Sequence, residues 1–447
     1  MNKTLLIKPG TKVTAMGLGQ FGGQIAAIRH CANLGADVLV TDQSSAELLA
    51  DSVSSLQDCP NVSFRFGPHC IDDFVDADLI LASPAVKPSH PCLLAAEKNN
   101  IPIITEIELF LANCSGKIIA VSGTVGKSTT ASMIEHLLSR LDIKVRLGGN
   151  IGKSLLPFMN EISDEDWTIL ELSSFQLHWL SRGQYSFDIA VLTNYFPHHL
   201  DWHGDEQSYR ECKQSLFRNQ NAEQLAVLPV EFQGNENWQT KATQVYFGGE
   251  DLTDLPADWP THDKQNAAAA FAVIERICDL KGIDIQKENL ISLLADFRGL
   301  PHRMECITEK NGRWFINDSK ATCPQSTIAA IRSMKEPTRL IVGGASILDE
   351  LGELITELNS TSLLRGIACV GPTGQQIYER LLPILSEQKS KVLCQSFPSL
   401  QLAVQWCWEN SKPDETILLS PACPSYDEFH NYEQRGYKFA EYVRELK

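Results

Sequence analysis

Short apolar runs punctuate the chain, each closed by a small, polar or acidic residue and most of them followed by a longer stretch with helical periodicity. Lys12-Val13-Thr14-Ala15-Met16 leads into Gly17, and Ala36-Asp37-Val38-Leu39-Val40-Thr41 ends at Asp42. Ala77-Asp78-Leu79-Ile80-Leu81-Ala82 ends at Ser83-Pro84, and Ile101-Pro102-Ile103-Ile104 ends at Thr105. Strands alternating with helices are predicted here, and this first unit spans residues 1–112. The runs Ile119-Ala120-Val121, Trp167-Thr168-Ile169-Leu170 and Asp188-Ile189-Ala190-Val191-Leu192 predict a central domain over 113–300. Arg313-Trp314-Phe315-Ile316-Asn317, Leu340-Ile341-Val342, Ile367-Ala368-Cys369-Val370 and Thr416-Ile417-Leu418-Leu419 predict a third over 301–447. Each strand of that last series is followed by a helical stretch, so its ligands are expected at the carboxyl ends of its strands. The expectation is an α/β protein of three domains.

Length agrees, since 447 residues exceed one core and about 150 residues per domain gives about three. A formal net charge of −16 argues against nucleic acid or an anionic membrane surface as the main partner. It leaves room for a small anionic ligand held by a local cluster of Lys and Arg. The 13 cysteines are scattered without a C-x-x-C pair, and no signal-peptide apolar segment follows Met1-Asn2-Lys3, so reduced thiols in a cytoplasmic enzyme are expected. No apolar run approaches the about 18 residues of a membrane span.

The stretch with most chemistry is Ile119 to Thr130. An apolar run ends in Gly123, Thr124, Val125 and Gly126, and Lys127-Ser128-Thr129 opens a helix. Glycines let backbone N–H groups converge on a polyphosphate, Lys127 supplies a point charge, and Ser128 or Thr129 can offer a hydroxyl to Mg²⁺. The spacing departs from the Walker pattern, because Val121 stands where a glycine is expected, and an ordinary Gly-rich strand-to-helix turn stays open at this point. Gly17, Gly19 and Gly22 make a G-x-G-x-x-G at a strand-to-helix junction, with Asp42 where an acid meets a ribose or base in a Rossmann-like domain. Alone this turn also admits NAD, but a second nucleotide loop directly after it counts against a dehydrogenase.

Glu171 ends a strand beside the phosphate loop, where it suits Mg²⁺ or is simply an exposed strand end. The loop Tyr195 to Gly204 holds His198, His199 and His203 with Asp201. Zinc is tempting, yet the sequence offers these histidines no cysteine or carboxylate partner at fixed spacing. Lys213, in Tyr209-Arg210-Glu211-Cys212-Lys213, reads as a residue on a solvated helix face, and the Ala-rich helix from Asn266 to Ile277 reads as core packing.

Seven stretches together resemble one family, the Mur ligases: Gly123 to Thr129, Leu170 to Leu177, Asn194 to Asp201, Tyr209 to Lys213, Gly299 to Arg303, Asn317 to Thr322 and Ser420 to Ser425. They run in order through all three domains. The pattern is most similar to the D-glutamate-adding branch. The resemblance implies a Rossmann-like N-terminal domain binding the UDP substrate, a central P-loop-type ATPase domain with a mostly parallel sheet, and a Rossmann-like C-terminal domain binding the amino acid. It implies ATP-dependent ligation of D-glutamate to UDP-N-acetylmuramoyl-L-alanine through an acyl phosphate, with two Mg²⁺ ions, by a monomer.

By position the resemblance places Lys127 on the γ-phosphate and Ser128, Glu171, His199 and a carbamylated Lys213 on the metals. It places Asn150 and Ser173 at the muramoyl end of the substrate, His262 and Asn266 near the nucleotide, and Arg303 and Asp318 on its phosphates and ribose. Lys320, Thr322, Ser425 and Tyr432 face the incoming glutamate. Gly17, Gly19 and Gly22 hold the UDP diphosphate with Asp42 near the uracil, and no NAD is implied. Five positions depart from the family: Val125 for asparagine, His198 for an acid, Asp263 for asparagine, Ala85 for glycine, and Ile347 where glutamate-adding members often carry lysine. Addition of L-glutamate or another amino acid, a folylpolyglutamate-type reaction, and a non-catalytic nucleotide-binding subunit are the alternatives. The complete first domain favours a UDP-sugar over folate.

Overall fold

Runs of valine, isoleucine and leucine that carry no charge form the inner strands of three sheets, because a strand covered on both faces tolerates no exposed polar side. The computed structural model describes residues 7–19, 22–151, 154–256, 259, 261–297, 299–345, 351–387 and 391–446. They belong to two compact units, 1–297 and 298–447. Ser346 and Ile347, the latter at the lysine position of the family pattern, lie outside the described residues.

The first unit holds two of the sheets. Strands β1 (Lys12–Met16), β2 (Asp37–Asp42), β3 (Val62–Phe66), β4 (Leu79–Ala82) and β5 (Ile103–Ile104) form a five-stranded parallel sheet in the order β3-β2-β1-β4-β5. The order turns between β1 and β4, so the crevice at the carboxyl ends opens beside Gly17 and Ser83. The second sheet contains β6 (Lys117–Ser122), β7 (Val145–Gly149), β8 (Trp167–Glu171), β9 (Ile189–Leu192), β10 (Leu225–Pro229) and β11 (Thr243–Phe247), in the order β11-β10-β9-β6-β8-β7. Here β6 lies between β8 and β9, and Val121 pairs with both Glu171 and Val191. Glu171 therefore lies level with Val121 and Val191, and Gly123 and Thr193 follow two residues further on at the same carboxyl end of the sheet.

On one face of this sheet the helix Lys127–Arg140 packs against the long helix Thr261–Lys281. Ala267, Ala268, Ala269 and Ala270 are all buried. Their small side chains permit the close approach that brings Asn266, the residue directly before them on the same helix, up behind the phosphate loop.

The second unit contains β12 (Glu305–Lys310), β13 (Arg313–Asn317), β14 (Thr338–Gly343), β15 (Leu364–Val370), β16 (Leu393–Phe397) and β17 (Thr416–Leu419), in the order β12-β13-β17-β14-β15-β16. Sequence periodicity predicts a strand-then-helix repeat, whereas β12 and β13 form an antiparallel hairpin at the edge. Asn317 and Ile341 both pair with Leu419, so Asp318, Val342 and Ser420 lie at the same level. The described residues contain no helix long and apolar enough to cross a membrane.

Candidate active site

The phosphate loop is held open by geometry that only glycine permits. Gly123 has φ +151°, and a Cβ there would stand 1.9 Å from Thr193 Oγ1; Gly126 has φ +81°, and its Cβ would stand 2.5 Å from Asn266 Oδ1. From β9 the chain clamps the loop with side chains. Asn194 Oδ1 accepts from the N–H of Thr124 at 3.2 Å and of Val125 at 3.0 Å, and Asn194 Nδ2 and Thr193 Oγ1 both donate to the Val125 carbonyl, at 3.0 and 2.6 Å. Thr124 Oγ1 lies 3.0 Å from the Tyr209 hydroxyl and donates to the Phe196 carbonyl at 2.9 Å. Lys127, the first residue of the helix, folds back so that Nζ donates to the Thr124 carbonyl at 2.8 Å, while Ser128 is buried beneath it. Val125 points outward, 54% exposed, at the position where the family pattern has asparagine.

Lys213 is 1% exposed, which corrects the reading of a solvated helix face. Its Nζ donates to Ser122 Oγ at 3.0 Å and to the Gly123 carbonyl at 2.8 Å. Burial, and then the nearby positive charge of Lys127, push the Lys213 ammonium well below its ordinary range, opposed by the charges of Cys212 and Glu171. Glu171 is likewise buried rather than an exposed strand end. Its Oε1 accepts from Asn150 Nδ2 at 2.8 Å, and its Oε2 is buried without a hydrogen-bond partner among the described residues. A buried carboxylate oxygen with no donor is an acceptor prepared for a cation. Asn150, expected at the muramoyl end of a substrate, thus orients this carboxylate in the protein itself.

His199 adopts a left-handed backbone (φ +54°) at the start of the turn Leu200–His203, and its ring packs 4.9 Å from Phe175. Ser173 caps the helix Ser174–Leu180, its Oγ accepting from the Gln176 N–H at 3.2 Å. The three-histidine loop does acquire a cysteine partner: His203 and His178 both approach Cys212 Sγ, at 3.7 and 3.5 Å. No fixed local spacing announces this, because the three residues belong to different elements.

At the first sheet, Asp42 Oδ2 accepts from the N–H of Leu18 at 2.7 Å and of Gly19 at 3.3 Å, and its Oδ1 from Ser44 at 2.8 Å. The acid shapes the glycine turn as well as standing beside it. Gly17 N–H donates to the Thr41 carbonyl at 2.8 Å, and Gly22 begins the following helix. Trp202 Nε1 donates to the Ala85 carbonyl at 3.0 Å and so joins the histidine loop to the first sheet.

In the second unit, Asp318 is buried, accepts from Ser420 Oγ at 2.8 Å and from the Met304 N–H at 3.2 Å, and is pushed up to about 6 chiefly by burial. Among the weaker influences Arg303 pulls it back down. Lys320 Nζ lies 5.9 Å from the centroid of the Tyr432 ring, Ser425 is buried, and Thr322 is exposed. Arg435, which the motif pattern does not include, ties these stretches together: it donates to Ser319 Oγ at 3.0 Å, the Ser319 carbonyl at 2.8 Å and the Cys423 carbonyl at 3.0 Å. Ser122, Thr193, Asn194 and Arg435 are the structural contributors that a reading of motifs leaves without a role. The one signal for the middle two is a polar pair following the last apolar residue of a strand.

Three family descriptions match the chain: Mur ligase MurD-like, N-terminal domain, over residues 11–105; Mur ligase middle domain over 121–274; and Mur ligase, glutamate ligase domain, over 302–423. The chain is 32% identical to a UDP-N-acetylmuramoylalanine–D-glutamate ligase of Ruminiclostridium cellulolyticum over 98% of this chain and 97% of that one. It is 31% identical to the enzyme of the same name from Acetivibrio thermocellus over 98% and 97%. Among solved structures it is similar in fold to the UDP-N-acetylmuramate-alanine ligase of Thermotoga maritima, with a TM-score of 0.61, 19% identity, and coverage of 98% of this chain and 100% of that one. The MurF ligase of the same organism in complex with ADP gives 0.56, with 17% identity and coverage of 100% and 97%.

Proposed function

The chain belongs to the Mur ligase family, and from that premise we propose that it joins D-glutamate to UDP-N-acetylmuramoyl-L-alanine at the expense of ATP, in peptidoglycan precursor synthesis. The observation that carries the chemistry is the buried Lys213, fastened to Ser122 and Gly123 at the mouth of the phosphate loop beside Lys127 and Glu171. An enzyme of this reaction must hold three anions together, since a carboxylate is a poor electrophile until phosphorylated.

In this reading the loop amides of residues 123–129 and Lys127 grip the phosphates, and Asn266, Arg303 and Asp318 contact the nucleotide. The substrate carboxylate attacks the γ-phosphorus and ADP leaves. The glutamate amine then attacks the acyl carbon, the tetrahedral intermediate expels phosphate, and the amine's proton is released. Gly17, Gly19, Gly22 and Asp42 serve the UDP end, Asn150 and Ser173 the muramoyl end, and Lys320, Thr322, Ser425 and Tyr432 the glutamate.

The donor set fits Mg²⁺. Glu171 offers a buried oxygen that has no hydrogen-bond partner among the described residues, Ser128 a hydroxyl at the helix start and His199 an imidazole. Bound there, Mg²⁺ supplies charge against the phosphate oxygens. Lys213 completes the set as a carbamate: its uncharged amine adds to CO₂, a C–N bond forms and one proton leaves, turning a buried neutral amine into a carboxylate-like ligand. The protein acts in the cytoplasm as a monomer.

Phosphate release is the test, measured with purified protein, ATP, Mg²⁺, UDP-N-acetylmuramoyl-L-alanine and either glutamate enantiomer. One phosphate per peptide bond formed with D-glutamate is expected. Release driven better by L-glutamate or by another amino acid would overturn the choice of substrate, and no release with any would overturn the ligase itself.

A further inference from the structure

Three ligand-type side chains converge a short way from the cluster just described. Cys212 Sγ lies 3.5 Å from His178 Nδ1 and 3.7 Å from His203 Nδ1, and one donor atom from each of the three lies within 4.8 Å of the others. They arrive from three elements: the helix Ser174–Leu180, the turn Leu200–His203 and the helix Glu206–Gln214.

The spacing has a metric meaning. A tetrahedral zinc with Zn–S of about 2.3 Å and Zn–N of about 2.0–2.1 Å sets sulfur and nitrogen about 3.6 Å apart, and both sulfur–nitrogen distances fall at that value. The surroundings match as well. Phe175 stacks on the His203 ring at 5.8 Å, Tyr209 meets it edge-on at 5.3 Å, and Trp202 meets the His178 ring edge-on at 5.2 Å. Rings held in this way present their nitrogens in fixed directions. Cys212 itself is buried. Thiolate and imidazole together select a soft or borderline cation, whereas the oxygen donors proposed at Glu171 and Ser128 suit Mg²⁺.

We propose that His178, His203 and Cys212 form a site for one zinc-class divalent cation, separate from the magnesium site. The cation takes two imidazole nitrogens and the Cys212 sulfur, which gives up its proton on binding, and leaves a fourth position open. Because Cys212 directly precedes Lys213, the ion braces the helix that carries Lys213 against the histidine loop. The same distances suit a thiol hydrogen-bonded between two rings, so the test must tell these apart.

Full-length protein freed of metal by chelator is titrated with Co²⁺, and the thiolate-to-cobalt charge-transfer absorption is followed. One equivalent is expected to produce the band, Zn²⁺ to abolish it by displacement, Cys212→Ser to remove it, and His178→Ala to weaken cobalt binding at least tenfold. X-ray absorption on the zinc-loaded wild-type protein, which needs no variant, is expected to show one sulfur at about 2.3 Å with nitrogen neighbours at about 2.0 Å. No thiolate band in the wild type means a hydrogen-bonded thiol only and overturns the proposal. So does a band of equal strength in a Cys212→Ser protein that melts like the wild type, or a zinc shell with no sulfur or with several.

Discussion

Lys213 Nζ donates to the Gly123 carbonyl at 2.8 Å, so the helix Glu206–Gln214 is fastened to the first residue of a loop that precedes it by 90 positions in the chain. The bond fixes the amine where the phosphate-binding turn begins, and burial there removes the water that would otherwise keep it charged.

If Lys213 works as a carbamate, Lys213→Ala lowers kcat for phosphate release by at least about 100-fold, the scale of losing one charge-stabilising group in a closed site. Acetate or formate restores part of the rate by supplying a carboxylate where the side chain ended. Lys213→Arg is not restored, because its guanidinium fills the space and forms no carbamate. Unchanged kcat in the alanine variant removes the residue from the mechanism.

Asn194 makes three hydrogen bonds to the loop through one amide group. Asn194→Ala strips an acceptor from two loop N–H groups, costing about 1–3 kcal/mol of stability, and raises KM for ATP more than it lowers kcat. Urea unfolding and steady-state kinetics on the same variant measure both. An unaltered KM would mean that the loop holds its shape without this clamp.

Gly126 and Asn266 form a steric pair, since a Cβ at 126 would meet Asn266 Oδ1 at 2.5 Å. Gly126→Ala is expected to destabilise by backbone strain of about 1–2 kcal/mol plus that collision. Adding Asn266→Ala removes the collision and leaves the strain. The double variant should therefore lose less than the sum of the two single losses, with a coupling of about 0.5–3 kcal/mol. Strict additivity in urea unfolding would deny the contact.

Glu106 is buried at the start of the helix Glu106–Asn113, where it accepts from Ser154 Oγ at 2.5 Å. Burial pushes its carboxyl up from 4.5 to about 7, and the Ser154 bond only partly offsets this. Folded protein thus binds a proton that unfolded protein has released between these values, and stability falls as pH rises through the window. Glu106→Gln should exceed the wild type by up to about 3 kcal/mol above pH 7 and match it below pH 4.5. Urea unfolding at both ends of the range decides, and a constant difference between variant and wild type would assign no role to the ionisation.

The order of strands along the chain and the chemistry at their ends were legible in the sequence, because an apolar run closed by Gly123, Glu171 or Asn317 is a property of neighbouring residues. The seven motifs carried the family for the same reason. Less legible were the edge strands Val62–Phe66, Val145–Gly149, Thr243–Phe247 and Leu393–Phe397, where half-exposed positions mute the apolar signal, the antiparallel hairpin of β12 and β13, and the inner strand Leu225–Pro229, although its apolar run is buried along its whole length. What only the tertiary structure decided is the environment of single side chains. Local periodicity puts Lys213 on a water-facing helix surface, yet it is buried by Ser122 and Gly123, which arrive from another strand. By the same physics His178, His203 and Cys212 meet although no spacing links them. Burial and charge depend on what packs across the crevice, and packing partners far apart in sequence leave no mark on the residues beside each one.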